Sequence, residues 1–181
     1  INLASPVSPG EVVDVTVSYQ GLPVSTGLGG FVFDTLTNGK PAIWSLSEPY
    51  GARTWWPSRD HPSDKADSVD VSIEVPMPLT AASNGLLTGT ETLPGGYRRF
   101  SFSHRYPIAT YLVSVAVAEY DIDEQIYTRP AALAHDLGDL ALPLVHYSFA
   151  GNEAFVGSHP QYGFQYITDI FPVLEEWFGP Y

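Results

Sequence analysis

SVDVSIEVP, Ser68 to Pro76, decides the fold: Val69, Val71, Ile73 and Val75 alternate with Asp70, Ser72 and Glu74. A period of two sends successive side chains to opposite faces, which defines a strand with one face buried and one in water. The same alternation recurs outward in both directions. It appears in EVVDVTVSY, where Val13, Val15, Val17 and Tyr19 share a face, in YRRFSFSH, where Phe100 and Phe102 do, and in LVSVAVAEY, ending at Tyr120.

Asn38-Gly39, Asn84-Gly85 and Pro94-Gly95-Gly96 stand between these runs. They supply the positive backbone angles that tight reversals need. Short strands punctuated in this way predict a mainly β fold, an antiparallel β-sandwich. After about Tyr120 the texture changes, because DIDEQIYTRPAALAHDLGDLA loses the alternation and LPLVHYSF resumes it only briefly. A domain boundary is expected there, dividing the chain into 1–120 and 121–181. Near the end, Ile167, Ile170, Phe171, Leu174, Trp177 and Phe178 follow helical spacing, stopped by Gly179 and Pro180, with Pro172 expected to kink or restart the helix. That stripe is read as a face packed on a core.

Composition narrows the function. The 181 residues carry 20 acidic against 8 basic side chains, a formal charge of −12, and a phosphate backbone would be repelled, which argues against a nucleic-acid partner. The absence of cysteine removes disulfides, thiolate zinc sites and a cysteine nucleophile. No run approaches the roughly 18 consecutive apolar residues of a membrane span. The chain opens at Ile1 directly in patterned material and stops after an apolar segment, so it is expected to be a piece of a longer protein. The lack of cysteine fits export as well as cytoplasm, and few lysines with an acidic, aromatic-rich composition lean to an exported protein, periplasmic or secreted.

Candidate chemistry is sparse. None of His61, His104, His135, His146 and His159 has another histidine three or four residues away, so no helical zinc pair exists and no metal is assigned. GLGG, Gly27 to Gly30, leads into FVFD, which reads as a strand, whereas a phosphate loop opens onto a helix. No G-x-S-x-G elbow occurs. Glu175-Glu176 and Asp121, Asp123 and Glu124 read as solvated acidic faces.

There remains SEPYGARTWWPSRDHPSDKAD, Ser47 to Asp67, a loop by composition that nevertheless carries adjacent tryptophans and a glutamate fixed before a proline. Trp55 and Trp56 supply enough apolar area to hold an irregular segment rigid, with Arg53 pairing to Asp60 or Asp64.

This stretch resembles the signature of the zinc-dependent aminopeptidases of the aminopeptidase N and leukotriene hydrolase type. The resemblance rests on Glu48, Ala52-Arg53, Trp56-Pro57, Asp60, Pro62 and Lys65-Ala66. It continues through Ser83-Asn84-Gly85 and Pro107 to Leu112, and the tail EEWFGPY is similar to the family's approach to its catalytic domain. One departure is Ser58, where many relatives carry a cysteine that is not catalytic.

The resemblance implies that 1–120 is the carboxy-terminal portion of an amino-terminal β-sandwich domain. It implies that 121–181 is the short α/β start of a thermolysin-like catalytic domain. It implies that Glu48 contacts the α-amino group of a peptide substrate with a free amino terminus. In the complete enzyme it implies a zinc ion whose bound water, activated by the glutamate of H-E-x-x-H, attacks the first peptide bond. The H-E-x-x-H and G-x-M-E-N patterns are absent from this sequence, so the zinc ligands are not in this chain, and the chain alone is expected to be inactive, with the rest of its own catalytic domain as its partner. Two other readings stand beside this one: a β-sandwich binding module using Trp55 and Trp56 on sugars or a protein, and a pseudoenzyme scaffold.

Overall fold

The structure is a computed structural model and describes residues 6–24, 30–130, 141–151 and 166–179. Its strands are β1 (Gly30–Thr35), β2 (Pro41–Leu46), β3 (Lys65–Ala66), β4 (Val69–Pro76), β5 (Thr80–Ser83) and β6 (Leu86–Leu93). They continue with β7 (Tyr97–His104), β8 (Ile108–Ala109), β9 (Val115–Ala118), β10 (Tyr120–Thr128) and β11 (Ala141–Phe149), and a helix, α1, spans Ile167–Phe178. A four-stranded sheet runs β1-β2-β9-β5, a three-stranded sheet β4-β7-β6, and β3-β8 and β10-β11 form separate pairs. Every ladder is antiparallel.

The two larger sheets meet over one core. Val75, Phe100 and Phe102 come from the three-stranded sheet, and Ala81, Val115 and Val117 from the four-stranded one, with Leu79 between. Phe100 and Phe102 are each 4% exposed, so each contributes about 1.5–3 kcal/mol of apolar burial. This is the sandwich that the alternation predicts. On the outer face Arg99 of β7 bonds Glu74 of β4 at 2.6 Å and Glu91 of β6 at 2.7 Å, a cross-strand charge set in water. The turn glycines Gly39, Gly85, Gly95 and Gly96 all have φ between +77° and +83°, as tight reversals demand.

Several expectations need correction. Residues 11–19, read as a strand, form none. Val12 is 90% exposed and Tyr19 61%, because alternation makes a strand only where a ladder partner lies alongside, and no described strand does. The stretch after Tyr120, read as losing its alternation, opens with β10, a nine-residue strand paired along its whole length with β11. Helix α1 forms as predicted but runs through Pro172 without a break. Its apolar stripe is not core among the described residues: Ile170, Leu174, Trp177 and Phe178 are exposed, and Glu175, read as solvated, is the buried residue. Gly27 to Gly29, His135 and His159 lie outside the described residues.

Candidate substrate-contact loop

Strand β2 ends at Leu46 and delivers the chain into the tryptophan loop. Ser47 turns inward, 3% exposed, and Glu48 turns out to solvent. The Glu48–Pro49 peptide is cis. Immediately behind, the backbone folds back on itself: Gly51 N–H donates to the Ser47 carbonyl at 2.7 Å. A Cβ at Gly51 would stand 3.1 Å from both Ser47 Cα and the Ser47 carbonyl oxygen, so any side chain here would push the Ser47 backbone back by a few tenths of an ångström.

A short 3-10 turn, Ala52–Thr54, follows with Ala52 fully buried. The amides of Trp55 and Trp56 both donate to the Ala52 carbonyl. Trp55 packs on Phe31 of β1 at 5.4 Å between ring centroids and joins the edge of the core, while its Nε1–H donates to Ser47 Oγ at 2.9 Å. The tryptophan therefore holds the residue next to Glu48. The Trp55 ring is half-buried against Phe31 and the edge of the core. Tyr19 to Pro23 and Arg53 to Pro57 line a cleft of about 500 Å³ beside it.

The separated motifs meet at this loop. The Asp60 side chain, 2% exposed, accepts from the Arg53 amide at 3.2 Å, lies 3.6 Å from Arg53 Nε, and takes the Thr110 hydroxyl at 3.3 Å. Lys65-Ala66 pairs with Ile108-Ala109 as β3 and β8. Asn84 donates to the Leu112 carbonyl at 3.0 Å and accepts from the Ser114 amide at 2.7 Å. Asp60 and Lys65-Ala66 thus fasten the loop to the segment Ile108–Thr110, and Asn84 ties the β5–β6 turn to Leu112 and Ser114 just beyond that segment. Of the two partners expected for Arg53, the structure selects Asp60, and Asp64 pairs instead with Arg59.

Ser58 Oγ is buried with no hydrogen-bond partner among the described residues. An unpartnered hydroxyl loses water without compensation, whereas the weakly bonding thiol implied by the resemblance loses little. Ser58→Cys should raise stability by about 1 kcal/mol. A thermal melt in which this variant unfolds below the parent would contradict the assignment.

A buried cluster elsewhere escaped the sequence reading. Tyr127 and Arg129 both bond Glu175, at 2.9 Å for the hydroxyl and 2.7 Å for Arg129 Nη2. Only the position of Glu175 one helical turn after Phe171 signals it, since Phe171 packs on Tyr127 at 5.1 Å. Burial, then the hydrogen bond to Glu175, pushes the Tyr127 hydroxyl pKa up from its ordinary value.

Among the described residues no group of three or more His, Asp or Glu side chains is arranged to hold a metal ion, and no helix is long and apolar enough to cross a membrane. The described residues do not fit a zinc site.

Loop and sandwich together have the form of a peptidase amino-terminal domain. The profile of the Peptidase M1 N-terminal domain matches residues 1–112, and the chain belongs to that family. It is 30% identical over 113 residues to glutamyl aminopeptidase of Rattus norvegicus and 32% identical over 115 residues to that of Homo sapiens. These alignments cover 61% and 62% of this chain and 12% of each relative. Among solved structures, a two-domain M1 zinc metallopeptidase bound to L-arginine superimposes with a TM-score of 0.66 at 29% identity, over 89% of this chain and 34% of that one. An M1 zinc metallopeptidase from Deinococcus radiodurans bound to a Tyr-Ser-Ala substrate gives 0.58 at 32% identity, over 77% of this chain and 29% of its own. The chain therefore spans about an eighth of its curated relatives and about a third of its solved neighbours.

Proposed function

We propose that this chain is the amino-terminal portion of a zinc aminopeptidase and that Glu48 contacts the α-amino group of the substrate. Residues 1–120 serve as the sandwich domain, and 121–181 begin a thermolysin-like catalytic domain. The observation that carries the reading is the loop itself: an exposed carboxylate stands directly beside a backbone fastened by Trp55, Gly51 and Asp60. Rigid support is what a substrate-orienting group needs.

The chemistry follows from the substrate. An exopeptidase must tell a terminal ammonium from an internal amide, and a carboxylate does so by a charge-assisted hydrogen bond. Holding the ammonium also places the first peptide bond, since a misplaced amine misplaces the scissile carbonyl. Glu48 orients and does not transfer protons. Zinc, when bound, supplies the activated water, and its ligands come from outside this chain.

The neighbours bound to single amino acids and to a tripeptide support peptide substrates. The exposed apolar groups Ile126, Trp177 and Phe178 support docking of the remaining catalytic domain, and an exported location fits the composition. The complete protein should release the first residue from peptides with free amino termini, leave their N-acetylated counterparts intact, and lose activity to a chelator. This chain alone should cleave neither kind of peptide. Equal cleavage of free and acetylated peptides would overturn the reading.

A further inference from the structure

The chain passes from the four-stranded sheet into the β10–β11 pair through one residue, Glu119. A single backbone link leaves its rotations available to tilt one sheet against the other. The turn between β1 and β2 closes over this link. Its shape is fixed by Leu36 N–H donating to the Lys40 carbonyl at 2.8 Å and by Lys40 N–H donating to Asn38 Oδ1 at 3.0 Å.

Two side chains of this turn reach across the link. Lys40 Nζ meets Glu119 Oε2 at 2.6 Å, and Asn38 Nδ2 donates to the Ala150 carbonyl at 3.1 Å. Ala150 N–H donates in turn to the Glu119 carbonyl at 2.9 Å. The turn therefore holds the end of β11 and the start of β10 together.

The opposite end of β2 leads to Glu48. Its six residues at roughly 3.3 Å each make an arm of about 20 Å. A tilt of about 5° at the turn carries the far end about 1.7 Å, and misplacement by about 1 Å is enough to cost reactivity.

We propose that the Lys40–Glu119 ion pair, with the Asn38–Ala150 hydrogen bond, is a positioning clamp. It sets the angle between the sandwich and the β10–β11 unit and, through β2, the placement of Glu48. The inference rests on the proposed role of Glu48. Lys40 and Glu119 side chains are 36% and 27% exposed, so the pair adds little to stability and its contribution is geometric.

The test is a mutant cycle in the complete, zinc-loaded enzyme, with peptides bearing free amino termini. Asn38→Ala with Lys40→Met should lower kcat about tenfold and leave KM within about twofold, because Glu48 still binds the amine but offers it displaced. In a Glu48→Ala background the same pair of substitutions should change nothing further. Exchanging the charges, Lys40→Glu with Glu119→Lys, should restore kcat to within about threefold. Wild-type kinetics in the clamp variant, or an equal loss with and without Glu48, overturns the clamp while leaving the substrate contact standing. A fully active Glu48→Ala enzyme overturns the substrate contact and the clamp with it.

Discussion

Glu48→Ala in the complete enzyme lowers kcat/KM for peptides with free amino termini about 100-fold, a loss of about 2.7 kcal/mol. A hydrogen bond to a charged group is worth about 1.5–3 kcal/mol, and the upper end applies once the catalytic domain closes over the cleft and removes competing water. Glu48→Gln keeps an acceptor without the charge and should fall between, about tenfold below the parent. Zinc content should not change, because Glu48 belongs to no group of potential metal ligands among the described residues. Steady-state kinetics with metal analysis checks this, and a variant that lost zinc would move Glu48 from substrate contact to metal support.

The second large effect belongs to the buried cluster under α1. Glu175 accepts from Arg129 Nε at 2.8 Å and Nη2 at 2.7 Å on one oxygen and from Tyr127 on the other, with side-chain exposures of 4% for Arg129 and 2% for Glu175. Arg129→Met leaves a carboxylate buried without its guanidinium, a loss of about 3–5 kcal/mol. The double variant Arg129→Met with Glu175→Leu removes both charges and should recover part of that loss, the remainder being the buried Tyr127 hydroxyl left without its acceptor. Chemical denaturation of the complete protein, with hydrogen exchange along 167–178, distinguishes the cases. If the double variant were as unstable as the single one, the ion pair would not be what docks the helix.

The sandwich was legible because strands with one wet face write a period of two. Val69 to Val75 and Phe100 with Phe102 alternate without interruption, and the glycines between strands take the positive φ that tight turns need. What the same period cannot reveal is whether a partner strand lies alongside. Val13, Val15, Val17 and Tyr19 alternate equally well and pair with nothing among the described residues.

Strand β10 failed in the opposite sense. Its central positions, Ile122 to Gln125, are mostly exposed, so its pairing with β11 leaves little hydrophobic imprint. Glu175 was misread because an acidic pair on a helix is usually solvated, and its partners lie 46 and 48 residues away.

Glu48 was chosen on another ground. A lone glutamate before proline carries no periodic or charge signal, and only the resemblance around it singled it out. The structure adds the physical ground, which is the Trp55 Nε1 bond to Ser47 and the Gly51 return that together fix the backbone beside it. Lys40 and Glu119 had no signal at all, since a long-range ion pair leaves none in a single sequence.

The most direct test is a crystal structure of the complete enzyme with a peptide bound in the cleft. The amino-terminal nitrogen of that peptide should lie within about 2.7–3.2 Å of a Glu48 carboxylate oxygen. A peptide bound in register for cleavage, with its amino group held by other residues and Glu48 turned to solvent, would contradict it.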